Sequence, residues 1–448
     1  SGALSRLLPE LRLADASPEG RAQLSQLPAD VVQLAQHCVL DWLGVTLAGA
    51  REPVSRSLFN VVCQAEGGND ASLLGFGRRG SLRGAALLNG TSAHALDFDD
   101  THWVLQGHPT APVLSGLFAL AEREGASGAQ LIAALVAGIE VECRLGKWLL
   151  PSHYARGYHA TATLGAFGAA AAAAHLLQLT KAAWTCAFGL AGTQAAGLKS
   201  AFGTMAKPLQ VGRAAETGLL SALLAADGFS ASTQILEDTQ GFVATHADPP
   251  RADADPHAWL IRGTLFKYHA TCYLTHATID GLRALMHEHM FQPRDVRQVR
   301  LVVDETCLHV CNIERPRTGT EAKFSLRAAA AFSLLGDALD DPRTFDDARV
   351  QSPEVRALCE RVQVSTAPMP APCSRVHVEL ETGQTLSVEH DAGIPESDLA
   401  RQERRLCDKL ERLLPLSAAA THALRECVLS LASLRDVREL ARLVGACV

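Results

Sequence analysis

The stretch DVVQLAQHCVLDWLGVTLAGA, residues 30–50, predicts a long helix and sets the fold class of the chain. It opens with an aspartate suited to cap a helix, repeats apolar residues at spacings of three and four, and reaches a stop signal at Gly49. Strand-like segments are scarce as far as about Gly228, and similar helical patterns lie at residues 82–98, 111–124, 128–148, 160–178, 181–198 and 211–226. The first half of the chain is therefore predicted to be helical.

The pattern changes after about Phe266, where alternation in twos predicts β-strands. The segment VRQVRLVVDE (296–305) alternates, and SRVHVELETGQTLSVEH (374–390) does so on both sides of a Thr-Gly turn, as in a hairpin. Helical patterns occupy residues 322–339 and 352–362 between them, and the tail from residue 396 is helical again.

We therefore predict a mainly α protein, with a large all-helical domain and a smaller α+β lid domain inserted near the C-terminal end. The predicted segments are residues 1–266 for the first part of the helical domain, 267–400 for the lid, and 401–448 for C-terminal helices that return to the helical domain.

Composition restricts the partners of this chain. A length of 448 residues with 48% hydrophobic content can bury a large core, and a net charge of −7 without a Lys/Arg cluster argues against nucleic acid and anionic membranes. The twelve cysteines form no C-x-x-C pair, and the N-terminus shows no basic-then-apolar signal segment, so we expect reduced thiols and a cytoplasmic protein. The uncharged stretch at residues 160–180 is mostly alanine and glycine, which favours a buried helix over a membrane span.

The most polar segment is HALDFDDTHWVLQGHPTAP, residues 94–112, whose acids and histidines raise the question of a metal. If the preceding helix continues to Thr101, helical phase places His94, Asp97 and Thr101 on one stripe and directs Asp99 elsewhere. We therefore expect no metal, with Asp99 and Asp100 structural.

Basic side chains recur at the predicted helix starts. His108, His159 and Lys207 each lie just before or within a first turn, and a further segment, KYHATCYLTHATIDGL, contains Lys267, His269 and His276. Helix starts offer free N–H groups and a positive dipole end, which suit a carboxylate or phosphate. These starts are therefore predicted to converge on a small anionic ligand.

The segments LLNGTSAHALDFDDTH (87–102) and GHPTAPVL (107–114) resemble the signature of the MmgE/PrpD family, which includes 2-methylcitrate dehydratase, cis-aconitate decarboxylase and iminodisuccinate epimerase. The resemblance continues in GYHATATLGAFGAAAAAA (157–174), MAKPLQVGRAA (205–215) and FKYHATCYLTHATIDGL (266–282), and covers most of the chain from about residue 25.

This resemblance implies a helical domain with an α+β lid, a homodimer, an active site in the cleft between the domains, and no cofactor. The family's motifs carry its functional positions onto Asp97, Thr101, His108, His159, Lys207, Lys267 and His276. One position departs, because members often carry a tyrosine where this chain has Ala328. The neighbouring Arg327 is predicted either to bind a substrate carboxylate or to be a solvated helix arginine.

The reactions of the family share a carbanion or enolate-like centre beside a carboxylate. Such chemistry needs a proton-transfer group whose pKa is near the working pH, and cations or N–H dipoles to hold the developing charge. We predict that His108 or His159 transfers the proton and that Asp97 orients a histidine or holds the imidazolium. Thr101 and Lys207 would bind the substrate, the latter by pairing with a carboxylate.

Three functions are compatible with these residues. The first is a cofactor-independent lyase, a dehydratase or decarboxylase, that acts on a small di- or tricarboxylate. The second is an isomerase, an epimerase of a dicarboxylate such as iminodisuccinate. The third is a carboxylate-binding homologue without turnover, a reading that Ala328 encourages.

Overall fold

A computed structural model describes residues 26–65, 67–248 and 258–445 of the chain. The expectation about a signal segment concerns residues 1–25, which lie outside these ranges. Two compact units are present, one formed by the described parts of Ser1–Phe266 and Glu396–Val448, and the other by Lys267–Pro395.

The described part of the first unit consists mostly of helices in close succession, and its described strands are short. Its elements up to Leu265 are the helices α1 (Ala29–Gly49), α2 (Pro53–Ala65), α3 (Leu82–His94), α4 (Thr110–Glu124), α5 (Gly128–Leu149), α6 (Ser152–Ala155), α7 (Ala160–Thr163), α8 (Gly165–Leu176), α9 (Lys181–Gly192), α10 (Ala206–Ala226) and α11 (Phe242–His246), and the antiparallel strand pairs β1 (Ala71–Leu73) with β2 (Arg78–Gly80) and β3 (Thr101–His102) with β4 (Thr264–Leu265).

The second unit contains a four-stranded sheet in the order β6–β5–β7–β8, where the strands are β5 (Val296–Val303), β6 (Val362–Thr366), β7 (Cys373–Leu380) and β8 (Thr385–Asp391). β7 and β8 form the predicted antiparallel hairpin, whose turn contains Gly383 at a φ of 87°, whereas β5 and β6 are parallel. The helices of this unit are α12 (His276–His289), α13 (Glu305–Val310), α14 (Gly319–Ala322), α15 (Leu326–Leu335), α16 (Asp347–Val350) and α17 (Pro353–Glu360).

The C-terminal helices are α18 (Leu399–Leu413), α19 (Ala418–Leu429) and α20 (Arg438–Gly445), and they belong to the first unit. α18 packs on α1, where the buried Lys409 ammonium binds Asp41 at 2.6 Å and the carbonyl oxygen of Phe98 at 2.6 Å. A chain that is mostly helical, with a small sheet region before the C-terminal helices, is the coarse architecture that the sequence predicted.

Small residues bring the central helices of the first unit into backbone contact. α10 packs against α3, α4 and α8, and the buried alanines of α8 confirm that the uncharged segment from residue 160 is buried and helical. The helix predicted there is divided at Leu164 into α7 and α8, and it ends at Leu176. A Cβ atom added to Gly90 on α3 would lie 2.9 Å from the Cα atom of Gly212 on α10. Because a side chain does not fit there, these glycines set the distance between the two helices.

The predicted helix over residues 82–98 is too long, since α3 ends at His94. Thr101 pairs in β3 instead of continuing the helix, so helical phase does not relate it to Asp97. The helix predicted from residue 211 begins five residues earlier, at Ala206, and the one predicted to reach residue 198 ends at Gly192. Short polar and glycine-containing segments decide these ends, and apolar periodicity alone does not detect them.

Among the described helices, α1 is long and apolar enough to cross a membrane by length and composition. Its most apolar window is 83% buried within the protein, as in the core helix of a folded domain.

We predict that Gly218→Ala destabilises the first unit. A Cβ atom at this position of α10 would lie 2.5 Å from the amide nitrogen of Ala170 and 2.6 Å from the carbonyl oxygen of Ala166, both on α8. Overpacking of this kind costs about 1–3 kcal/mol, which urea denaturation measures. Gly445→Ala, at an open helical position, is the matched control, and equal stabilities of the two variants would contradict the prediction.

Candidate active site

Asp97, His108 and Lys207 meet at one buried point of the first unit. The Lys207 ammonium donates to Asp97 Oδ1 at 2.7 Å, and His108 Nε2 lies 3.6 Å from the same oxygen. Each of the three residues is less than 10% exposed. Asp97 adopts a φ of 52°, a left-handed conformation that is uncommon outside glycine and that often marks a functional position.

A second carboxylate, Asp99, lies between two histidines. His94 Nδ1 is 3.0 Å from both carboxylate oxygens of Asp99, and His108 Nδ1 is 3.2 Å from Oδ2 without the alignment of a hydrogen bond. Burial opposes ionisation of Asp99, but the nearby His108 and His94 outweigh it and hold the pKa of Asp99 well below its usual value. Burial lowers the pKa of His94 to about 4 despite Asp99, so His94 is neutral at pH 7.

His159 lies next to His94 in the same part of the first unit. It precedes α7, and its Nδ1 lies 2.8 Å from Oε1 of Gln210, which is one turn after Lys207 on α10. Because Oε1 only accepts, Nδ1 carries the proton and Nε2 keeps its lone pair. Burial, with Lys207 nearby, holds the pKa of His159 well below its ordinary value, so this ring is neutral.

The loop before α4 is held by close contacts that place His108. Thr101 Oγ1 donates to the carbonyl oxygen of Gly107 at 3.0 Å, and the amide of His108 donates to Thr161 Oγ1 at 3.1 Å. A Cβ atom on Gly107 would lie 2.8 Å from Thr161 Oγ1. Thr101 thus supports the loop that carries His108, and its predicted contact with substrate stays a prediction.

The second unit contains a separate group of basic residues. Lys267 and His276 are buried, and the His276 ring lies 4.9 Å from the ring of His269, measured between centroids. Burial, followed by His269 and Lys267, holds the pKa of His276 well below its usual value. His269 Nε2 lies 2.8 Å from Asp280, whose pKa is about 2 because this contact and the nearby imidazoles outweigh burial.

Arg327 and Ala328 begin α15 in this second unit. The Arg327 guanidinium donates to Asn312 Oδ1 at 2.6 Å and lies 3.5 Å from Glu314 Oε1. Ala328 is fully buried and offers no polar side-chain group where family members often have tyrosine.

Two family profiles match most of this chain. The family profile of the MmgE/PrpD N-terminal domain matches residues 20–255, and that of the MmgE/PrpD C-terminal domain matches residues 269–433. The chain belongs to the MmgE/PrpD family.

Several relatives of this MmgE/PrpD chain are named as cis-aconitate decarboxylases or as similar to them. It is 27% identical to the cis-aconitate decarboxylase-like protein oryM of Aspergillus oryzae, over 97% of this chain and 99% of that protein. It is 29% identical to a cis-aconitate decarboxylase of Aspergillus terreus over 83% of each chain, and 28% identical to that of Mus musculus over 82% of this chain and 79% of the relative.

Helical phase gave the wrong position for Asp99 in this MmgE/PrpD chain. The sequence predicted that Asp99 points away from His94 and Asp97. In the structure, one side-chain donor atom from each of His94, Asp97, Asp99 and His108 lies within 4.8 Å of the other three. α3 ends at His94, so the turn at Asp97 redirects the chain and returns Asp99 to the group. Gln210 was also missed, although its spacing of three from Lys207 places both on one face of a helix.

We predict that Asp100→Asn changes how stability depends on pH. Burial and the nearby Asp41 raise the pKa of Asp100 from 3.8 to about 8 in the folded protein. Because the folded state then binds this proton more tightly than the unfolded state does, the free energy of unfolding falls as pH rises from about 4 to about 8.

The asparagine side chain cannot ionise; its Oδ1 can still accept from the Thr110 amide, and its Nδ2 can donate to the Thr110 hydroxyl, which contacts the second oxygen of Asp100. The variant should therefore gain at least about 1 kcal/mol relative to wild type between about pH 5 and pH 8, as measured by urea denaturation. Asp227→Asn, at an exposed position, is the control. A pH-independent difference between Asp100→Asn and wild type would contradict the prediction.

Proposed function

We propose that this chain is a decarboxylase that acts on a small tricarboxylate of the cis-aconitate class. The observation that carries the proposal is the buried group formed by Asp97, His108 and Lys207, with His159 in the same part of the first unit. The names of the relatives support the same reaction class, and the MmgE/PrpD match extends over both domains.

The Lys207 ammonium suits a substrate carboxylate. It is 7% exposed, and its described partner is itself a carboxylate, Asp97, so a bound anion can exchange for an interaction of the same chemistry. A compact ammonium binds one carboxylate as a point charge, and burial strengthens that attraction relative to water. In the proposed complex, Lys207 holds the carboxylate next to the carbon that gains charge.

Loss of carbon dioxide from such a substrate breaks the bond between a methylene carbon and its carboxylate. The electron pair moves into the adjacent carbon–carbon double bond, and the far carbon becomes an enolate-like centre beside a second carboxylate. That carbon then takes one proton. The products are carbon dioxide and an unsaturated dicarboxylate, so the reaction needs a proton donor and cations but no oxidant.

His108 is the histidine best placed to deliver that proton. Its two ring nitrogens lie 3.6 Å from Asp97 and 3.2 Å from Asp99, so two carboxylates flank this ring and position it. His159 is neutral and has Gln210 on Nδ1, which suits it to hydrogen-bond the substrate rather than to protonate it. We therefore assign proton transfer to His108 and orientation of the substrate to His159.

The remaining site assignments are proposals of the same kind. His276 is proposed to take part in catalysis, and Thr101, Lys267 and Arg327 are proposed to bind substrate. A cytoplasmic homodimer that needs no cofactor is the accompanying expectation.

The proposed reaction is tested by incubating the protein with cis-aconitate in deuterated water and following proton NMR. We expect an unsaturated dicarboxylate that contains one deuterium per molecule in its new methylene group, with release of one carbon dioxide. A panel with 2-methylcitrate and an iminodisuccinate distinguishes the other functions. Alkene formation with loss of water indicates a dehydratase, whereas exchange at an α-carbon without elimination indicates an epimerase.

Either of those results without decarboxylation would overturn the proposal. Saturable binding of tricarboxylates, with neither exchange nor turnover, would instead show a carboxylate-binding homologue.

We predict different effects for substitutions of the two histidines. His108→Gln should lower kcat by about 10²–10⁴-fold, because it removes the proton donor, while circular dichroism shows an intact fold. His159→Gln should mainly raise KM, because it weakens binding of the substrate. His422→Gln, at an exposed position of α19, is the control. A larger loss of kcat in His159→Gln than in His108→Gln would exchange the two assignments.

A further inference from the structure

Two imidazoles and two carboxylates surround one point in the first unit. Each of His94, Asp97, Asp99 and His108 offers a donor atom, and these four atoms lie within 4.8 Å of one another. All four residues are at least nine-tenths buried. The four side chains are therefore withdrawn from bulk water, which otherwise competes with a metal for such donors.

One of these donors is a nitrogen that the fold leaves without a hydrogen bond. His108 Nδ1 is buried, lies 3.2 Å from Asp99 Oδ2, and has no aligned hydrogen-bond partner among the described residues. Buried imidazole nitrogens normally have such a partner. This one is directed toward the carboxylate that also contacts His94, so it points into the group of four.

The donor set matches a transition metal ion better than an alkaline-earth ion. Zn²⁺ accepts imidazole nitrogen and carboxylate oxygen at about 2.0–2.2 Å in a tetrahedron, whereas Mg²⁺ and Ca²⁺ prefer oxygen ligands. Tetrahedral ligands at those lengths are about 3.4 Å apart. The four donor atoms, which lie within 4.8 Å of one another, therefore need to approach by at most about 1.4 Å.

The Lys207 ammonium lies beside Asp97, where it would compete with a metal ion for this carboxylate. Its nitrogen lies 2.7 Å from Asp97 Oδ1, and a divalent ion held by Asp97 would be repelled by that charge at short range. Binding of a metal therefore requires the Lys207 side chain to leave Asp97. This requirement weakens the site in the wild-type chain, so removal of the lysine should strengthen it.

We propose that His94, Asp97, Asp99 and His108 form an inhibitory Zn²⁺ site in which the metal and the Lys207 ammonium compete for Asp97. Zinc bound there would coordinate both Asp97 and His108. It would thereby break the ion pair between Lys207 and Asp97 and occupy the histidine that donates the proton in the proposed reaction. Metal binding itself does not depend on that reaction and is measured separately from it.

Binding is tested with Co²⁺, whose visible absorption reports tetrahedral coordination, and with Zn²⁺ as the competitor that bleaches it. We expect Lys207→Met to bind Co²⁺ at least tenfold more tightly than wild type. Lys181→Met, which removes an exposed lysine from the start of α9, should leave the affinity unchanged. Equal affinities of wild type and Lys207→Met, or absence of a tetrahedral spectrum in both, would overturn the proposal.

The ligands are tested by His94→Gln and Asp99→Asn, each made in the Lys207→Met background. Both should lower Co²⁺ affinity by at least tenfold, whereas His422→Gln should not. Equal affinity of the His94 and His422 variants contradicts the proposed ligand set. If circular dichroism shows that both ligand variants unfold, the comparison of wild type with Lys207→Met decides the question alone.

Inhibition is measured on whatever turnover the substrate panel reveals. Zn²⁺ should inhibit wild type, and EDTA should restore the activity. Tight Co²⁺ binding in a chain without decarboxylase activity would support the metal site while refuting the proposed function. Turnover that is insensitive to Zn²⁺ at concentrations that saturate the Co²⁺ signal would refute the inhibitory role.

Discussion

The close approach of α10 to α3 and α8 is the constraint on which the proposed site depends. Glycines at the crossings, Gly90, Gly212 and Gly218, let the backbones meet where a Cβ atom would collide. Lys207 is in the first turn of α10, and Asp97 lies three residues after His94, the last residue of α3. The separation of these helices therefore fixes whether the ammonium of Lys207 reaches Asp97, and with it the electrostatics of the whole group.

Charge compensation explains why so many ionisable groups can share this interior. Asp97 faces Lys207 and His108, and Asp99 faces His94 and His108, so neither carboxylate is left alone. An isolated buried charge costs several kcal/mol, and removal of one partner transfers that cost to the other. The proposed function would therefore be coupled to stability, because a group that is freed for chemistry must find another partner, and the proposed carboxylate substrate would supply one.

The sequence predicted the helical class and the late β-region, and it singled out Asp97, His108 and Lys207, which the structure brings together, but it did not predict how the neighbouring polar residues are grouped. Apolar periodicity identified α1, and the uncharged, alanine-rich composition of residues 160–180 identified α8. The same periodicity extended α3 past its end, since the turn at Asp97 depends on a single positive φ that has no periodic signature. Asp99 was therefore placed apart from His94, and only the folded backbone reunites them. Gln210 was not predicted because the site was predicted mainly from ionisable side chains, and an amide is uncharged. Gln210 nevertheless sets the tautomer of His159.

Lys409 has a consequence for the order in which the protein assembles during synthesis. Its ammonium holds the carbonyl oxygen of Phe98, the residue before Asp99, and at the same time Asp41 on α1. Translation delivers residues 94–210 well before α18, so a nascent chain carries Asp97, His108 and Lys207 before Lys409 can bind the carbonyl oxygen of Phe98. The backbone beside Asp99 therefore gains this contact only after α18 has been made, and a chain terminated before α18 lacks it.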